Sequence, residues 1–160
     1  MLSEKTKAII KSTAPVLQQH GKEITARMYQ IAFSERPEYK RFFENTWMKH
    51  PLDGGPQPAR LAQAVCAYAQ NIDNLDALKG PLEHIARKHV NTRVIAEQYP
   101  VIGACLLQAI KDILGAAATR EVMDAWGEAY QFLAGVLIEK EKDIYRAEDV
   151  RMTDAARASS

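Results

Sequence analysis

Apolar residues recur at intervals of three and four along almost the whole chain, and no segment alternates apolar and polar positions for long. This pattern predicts helices and no sheet, an all-α protein. Ser3 is placed to cap a first helix that carries Ile10, Ala14 and Leu17 on one side, and Pro15 is expected to kink or split it. Gly21 parts it from a second helix reaching about Ser34, with Ile24, Met28 and Ile31 in one apolar row and Tyr29 and Phe33 in the next. Pro37 then starts a short turn that ends in Phe42 and Phe43.

The text between Phe43 and Leu61, ENTWMKHPLDGGPQPAR, holds three prolines and a Gly-Gly pair and cannot continue a helix. It is the long loop of the chain. Helix resumes near Pro58 with Leu61, Val65, Tyr68 and Ile72 in line, and closes over Asn71 to Asn74. A further row runs Leu75, Leu78, Leu82, Ile85 and His89, with Pro81 expected to break it into two pieces. Tyr99 and Pro100 open the next helix, striped by Tyr99, Ile102, Leu106, Ala109 and Ile113 as far as Gly115. Thr119 caps the last and longest, which carries Trp126, Tyr130, Leu133, Leu137, Glu141 and Ile144. The small polar residues from about Val150 read as a frayed end, so the folded domain is expected over 1–148 and a disordered tail over 149–160.

At 160 residues, without an internal repeat, the chain suits one domain able to bury a core. Its 21 Lys and Arg against 20 Asp and Glu leave a formal charge of +1 with no basic block, which gives nucleic-acid binding no support. The N-terminus lacks the pattern of a secretory signal, and no run is expected to span a membrane, so the location is read as cytoplasmic. Cys66 and Cys105 lie in separate apolar stretches without metal-ligand spacing and read as reduced, buried thiols.

Three ionisable residues stand where the next hydrophobic residue is due: His89, Tyr99 and Glu141. Singly, each has an ordinary explanation. A histidine on an apolar face is more often a hydrogen-bonded core residue than a ligand, a tyrosine usually packs with its hydroxyl at the rim, and the glutamate can sit exposed at a helix edge. Together they can satisfy one another, leaving one imidazole nitrogen as a metal ligand of raised basicity. Among His20, His50, His84 and His89 no HxxxH or ExxH pair supports zinc or a di-iron centre, whereas haem needs one protein ligand. No nucleophile triad, P-loop or dinucleotide-binding glycine motif is present.

The order of Tyr29 with Phe33, Phe43, Gln57-Pro58 ahead of Leu61, Lys88-His89, EQYPVIG from Glu97 to Gly103 and DAWGEAY from Asp124 to Tyr130 resembles the bacterial haemoglobins of the flavohaemoglobin family. The likeness covers about residues 1–146 and is greatest to single-domain Vitreoscilla-type haemoglobins. It implies a globin fold around non-covalent haem b, with His89 as the iron ligand on one side and Tyr99 and Glu141 behind it. Tyr29 is then implied to donate a hydrogen bond to the bound gas, with Gln57 farther along. Phe43, Leu61, Lys88, Ile102 and Tyr130 complete the implied haem contacts.

Two departures stand out. The loop before Gln57 is longer than in the family and carries Trp47, Met48 and His50, which read as solvated; Pro58 also biases Gln57 towards an extended backbone that turns its side chain away. The flavin- and nicotinamide-binding domains of flavohaemoglobins do not follow in this sequence, so electrons are expected from a separate flavin reductase. The leading functional expectation is reversible dioxygen binding for storage or delivery to respiration, in a monomer or homodimer that also takes nitric oxide, carbon monoxide or cyanide. Nitric oxide dioxygenation is the enzymatic alternative, and a cofactor-free helical interaction module is the third.

Overall fold

The computed structural model describes residues 2–43, 57–91 and 96–159, with side chains for 2–40, 59–91 and 96–148. Six α-helices account for most of it: α1 (Glu4–Gln19), α2 (Gly21–Glu35), α3 (Gln57–Gln70), α4 (Lys79–Asn91), α5 (Gln98–Leu114) and α6 (Arg120–Ser159). Short 3-10 turns cover Pro37–Phe43, Leu75–Leu78 and Gly115–Ala117, and there is no strand among the described residues. The Trp47 to His50 loop lies outside them.

Local chemistry explains most boundaries. The Ser3 hydroxyl accepts from the Thr6 N–H at 3.2 Å and caps α1. Thr119 does the same for the Val122 N–H at 3.3 Å at the start of α6. Gly115 ends α5 with φ at 56°, a left-handed conformation that suits glycine, and its N–H reaches the Lys111 carbonyl.

The prolines behave differently from their sequence-based expectation. Pro15 does not split α1, because both Pro15 and Lys11, whose carbonyl loses its helical partner, face solvent, where water replaces the bond. Pro81 falls in the first turn of α4, where no N–H partner is needed, so the break comes earlier, between Leu78 and Lys79. Pro58 likewise occupies the first turn of α3, and Gln57 opens that helix with helical rather than extended backbone. The end of α6 runs on to Ser159 past the expected fraying point, since this stretch contains Arg and Ala and neither Gly nor Pro.

Helix α6 packs against α1, α4 and α5, while α2 packs against α3 and α5, and α1 also touches α3. Among the described residues α3 and α4 share no extensive contact, although Leu61 and Val65 of the one and Ile85 of the other pack on the same core. That core includes Ile10, Ile24, Met28, Ile72, Ala109 and Ile110, all nearly inaccessible to solvent.

Polar ties cross it. The Trp126 indole N–H donates to the Thr13 hydroxyl at 2.9 Å, and the Thr6 hydroxyl donates to Glu128 at 2.7 Å, both joining α1 to α6. The Tyr68 hydroxyl reaches the Ala129 carbonyl at 2.9 Å and joins α3 to α6. The stretch Gln98–Ala117 is long and apolar enough to cross a membrane, which corrects the expectation that no run reaches that length. Within the fold one face of α5, with Tyr99, Leu106, Ala109 and Ile110, packs against α2 and α6, and 28% of the stretch is buried.

Candidate haem site

His89 sits in the last turn of α4, Tyr99 in the first turn of α5, and Glu141 more than halfway along α6. Three separate helices therefore bring together the three ionisable residues that interrupt apolar stripes. The Tyr99 hydroxyl donates to Glu141 Oε2 at 2.6 Å, and the same hydroxyl oxygen lies 2.9 Å from His89 Nδ1. Glu141 Oε1 stands 3.3 Å from that nitrogen.

Burial makes this arrangement stringent. Glu141 is 4% exposed, and an isolated carboxylate at that depth would cost several kcal/mol. Burial, and after it the hydrogen bond to Glu141, raises the Tyr99 pKa far above the ordinary phenol value, so the phenol keeps its proton. That single proton goes to the carboxylate. Tyr99 oxygen and Glu141 Oε1 therefore both face His89 Nδ1 as acceptors, which favours the tautomer with hydrogen on Nδ1 and the basic lone pair on Nε2.

Tyr130 of α6 braces this group from behind. Its hydroxyl donates to the Tyr99 main-chain carbonyl at 2.6 Å. Its ring lies against Gly103, where a Cβ would come within 2.4 Å of a ring carbon, so only glycine admits it. Burial raises the Tyr130 pKa well above normal and keeps the donor protonated.

On α2, Tyr29 is 3% exposed and stacks on Phe33, with ring centroids 5.7 Å apart. Leu61 on α3 and Ile102 on α5 are half-buried, and Lys88 beside His89 is exposed. Phe43 ends the 3-10 turn after α2 and Gln57 starts α3, while their side chains lie outside the described residues. Cys66 is half-buried and Cys105 buried; both are free thiols, and burial pushes both up in pKa, which keeps them protonated. Sequence reasoning had no role for Gly103. Its signal was there: a glycine inside an otherwise apolar helix, four positions after Tyr99.

Among the described residues no three His, Cys, Asp or Glu side chains converge to hold a metal ion. A metal held by His89 Nε2 alone would take its other ligands from a non-protein source, as iron does in a porphyrin. One imidazole whose Nδ1 faces two acceptors, with half-buried apolar Leu61 on α3 and Ile102 on α5 packed on the same core, is compatible with that requirement.

Comparison with known proteins decides the family. The Globin family profile matches residues 26–137. The chain is a globin. It is 47% identical over 145 residues to an uncharacterized globin-like protein of Aquifex aeolicus, a match covering 91% of this chain and 98% of that one. It is 48% identical over 145 residues to a flavohemoprotein of Bacillus thuringiensis, but there the 91% of this chain covers 35% of the relative, so this globin spans about a third of that protein's length. A bacterial globin from Campylobacter jejuni superposes with a TM-score of 0.81 at 37% identity, covering 90% of this chain and 99% of that one. A carbene transferase engineered from a putative nitric oxide dioxygenase of Rhodothermus marinus gives 0.85 at 36% identity, covering 93% and 99%. Globin membership, with flavohemoproteins among the relatives, implies haem binding and a function connected with gaseous ligands.

Proposed function

We propose that this globin holds haem b through His89 Nε2 and uses bound dioxygen to oxidise nitric oxide to nitrate, with electrons from a separate flavin reductase. The observation that carries this reading is the Glu141–Tyr99–His89 hydrogen-bonded chain. When bound, haem supplies an iron that takes up dioxygen in its ferrous form. An acceptor pair on Nδ1–H gives the imidazole partial imidazolate character and makes it a stronger electron donor through Nε2, which favours oxygen chemistry over simple carriage. Tyr29, a buried phenol on α2, is assigned to donate a hydrogen bond to the gas on the opposite side. Leu61 and Ile102 exclude water from the site, with Phe43, Gln57, Lys88 and Tyr130 as further contacts by family likeness.

Reversible storage and delivery of dioxygen uses the same haem and the same His89. The two readings part at turnover. With a flavin reductase and excess nitric oxide, sustained consumption of both gases with nitrate formation supports dioxygenation; a single stoichiometric reaction supports carriage. The haem assignment is checked first. The purified protein is expected to show a Soret band and a b-type haemochrome, and His89→Ala to lose haem or regain it with added imidazole. A normal spectrum in His89→Ala removes His89 as the ligand. We place the protein in the cytoplasm, where reductant and nitric oxide are both accessible.

A further inference from the structure

Helices α2 and α3 press together where Gly21, the first residue of α2, faces Ala62. A Cβ on Gly21 would stand 3.1 Å from the Ala62 Cβ, nearer than two methyl groups settle. Backbone conformation does not call for glycine here, since among the described residues only Gly115 has a positive φ. The neighbour does. Both atoms are fixed to the main chain, with no torsion to turn them aside, so a methyl group at Gly21 has to move one helix against the other by a few tenths of an ångström. The row that Gly21 begins continues through Thr25, Met28 and Ala32, each at most 2% exposed, and the Thr25 hydroxyl turns back to the Gly21 and Lys22 carbonyls at 3.1 and 3.2 Å. A row packed this tightly passes a displacement on.

These are also the two helices that carry gas-side residues. Tyr29 stands eight residues after Gly21, about 12 Å along α2, with its ring stacked on Phe33. Leu61 directly precedes Ala62 and packs half-buried on the core, so any movement of the α3 backbone at Ala62 carries Leu61 with it. The spacing between the Tyr29 side and the Leu61 side is thereby tied to the space between Gly21 and Ala62.

We infer that the Gly21–Ala62 contact is a determinant of ligand size: it sets how near α3 brings Leu61 to the phenol of α2, and keeps the gas side narrow, in favour of diatomic ligands over longer ones. The inference rests on the haem and gas-side assignments proposed above and adds what limits the ligand. Neither residue touches the ligand; both act through the spacing of two backbones.

The test uses the ferrous holoprotein with methyl and n-butyl isocyanide, which bind haem iron through the same carbon and differ in length alone. The reading is the ratio of butyl to methyl affinity. Leu61→Ala is the reference, since it opens the gas side directly and should raise the ratio. Gly21→Ala should raise it by roughly two- to fivefold, a part of the tenfold or more that a whole methylene is worth in an apolar pocket. Ala62→Gly gives back the space that the new methyl takes, so Gly21→Ala combined with Ala62→Gly should return the ratio to its starting value. Mere destabilisation would not be undone by a second substitution that itself weakens a helix. A ratio unchanged or lowered in Gly21→Ala overturns the inference, and so does a rise that persists in the double variant. If Gly21→Ala does not fold, the double variant is compared with Ala62→Gly alone, whose ratio should be the lower; equal ratios overturn the inference. Should Leu61→Ala itself leave the ratio unchanged, the gas-side assignment fails and the inference falls with it, whereas a rise in Leu61→Ala without one in Gly21→Ala removes the inference alone.

Discussion

A phenol at 3% exposure, as Tyr29 has, is held in place by packing, so removing only its oxygen is a clean experiment. Tyr29→Phe retains the stack on Phe33 and loses the donor. A net hydrogen bond of about 1 to 1.4 kcal/mol corresponds to a roughly five- to tenfold faster release of dioxygen, measured by stopped flow. An unchanged off-rate would move the stabilising role to Gln57. The same scale shows what a sequence discloses. His89, Tyr99 and Glu141 were legible because each broke an apolar period, and a buried ionisable group needs a partner. Tyr130 was legible only by family likeness, as it fits its stripe like any core aromatic. Gly103 was visible as an anomaly without a cause, because what a missing Cβ makes room for comes from another helix.

Between elements, the α1–α6 seam is held by a few polar groups set into apolar surface. The Trp126 ring is 4% exposed, and its N–H has Thr13 as hydrogen-bond acceptor at 2.9 Å. Thr13→Val keeps the shape and strands that N–H. The expected loss is about 1 to 3 kcal/mol in urea unfolding of the apoprotein, with the haem spectrum of the holoprotein unchanged. A spectral change would show that the seam and the haem site are coupled. Helix positions were well predicted by period, and the capping residues Ser3 and Thr119 act as expected. Proline effects were misjudged, because whether Pro15 breaks a helix depends on whether the orphaned carbonyl meets water, and that depends on which face is outward.

Across the whole molecule, Tyr68, Tyr99 and Tyr130 share one property: burial raises each pKa well above the phenol's ordinary 10.0. The sign follows from which state releases protons first. Above about pH 10 the unfolded chain ionises these phenols while the folded chain keeps them neutral, so proton release favours unfolding. Stability is expected to be flat towards neutral pH and to fall as pH rises beyond 10, by up to about 1.4 kcal/mol per pH unit for each such tyrosine. Denaturant midpoints between pH 8 and 11 check it. Replacing Tyr68 with Phe should make the fall shallower, and an unaltered slope would remove Tyr68 from the set. At this scale the sequence was least informative about assembly. Periodicity says which face of α3 or α4 is apolar but not what that face meets, and the scant contact between these two helices could not be read from it.

The hydrogen bond from Trp126 to Thr13 joins residues 113 positions apart, and that from Thr6 to Glu128 joins residues 122 apart. During translation this separation becomes a delay. The first helix to leave the ribosome carries Thr6, Ile10 and Leu17, all buried in the finished protein, yet much of the surface that covers them belongs to a helix that begins at Arg120. At elongation rates of about 5 to 20 residues per second, that apolar face waits several seconds for its partner. Until α6 emerges that face lacks part of its cover, and because Glu141 lies on that same helix, the hydrogen-bonded chain of Glu141, Tyr99 and His89 cannot be complete before then.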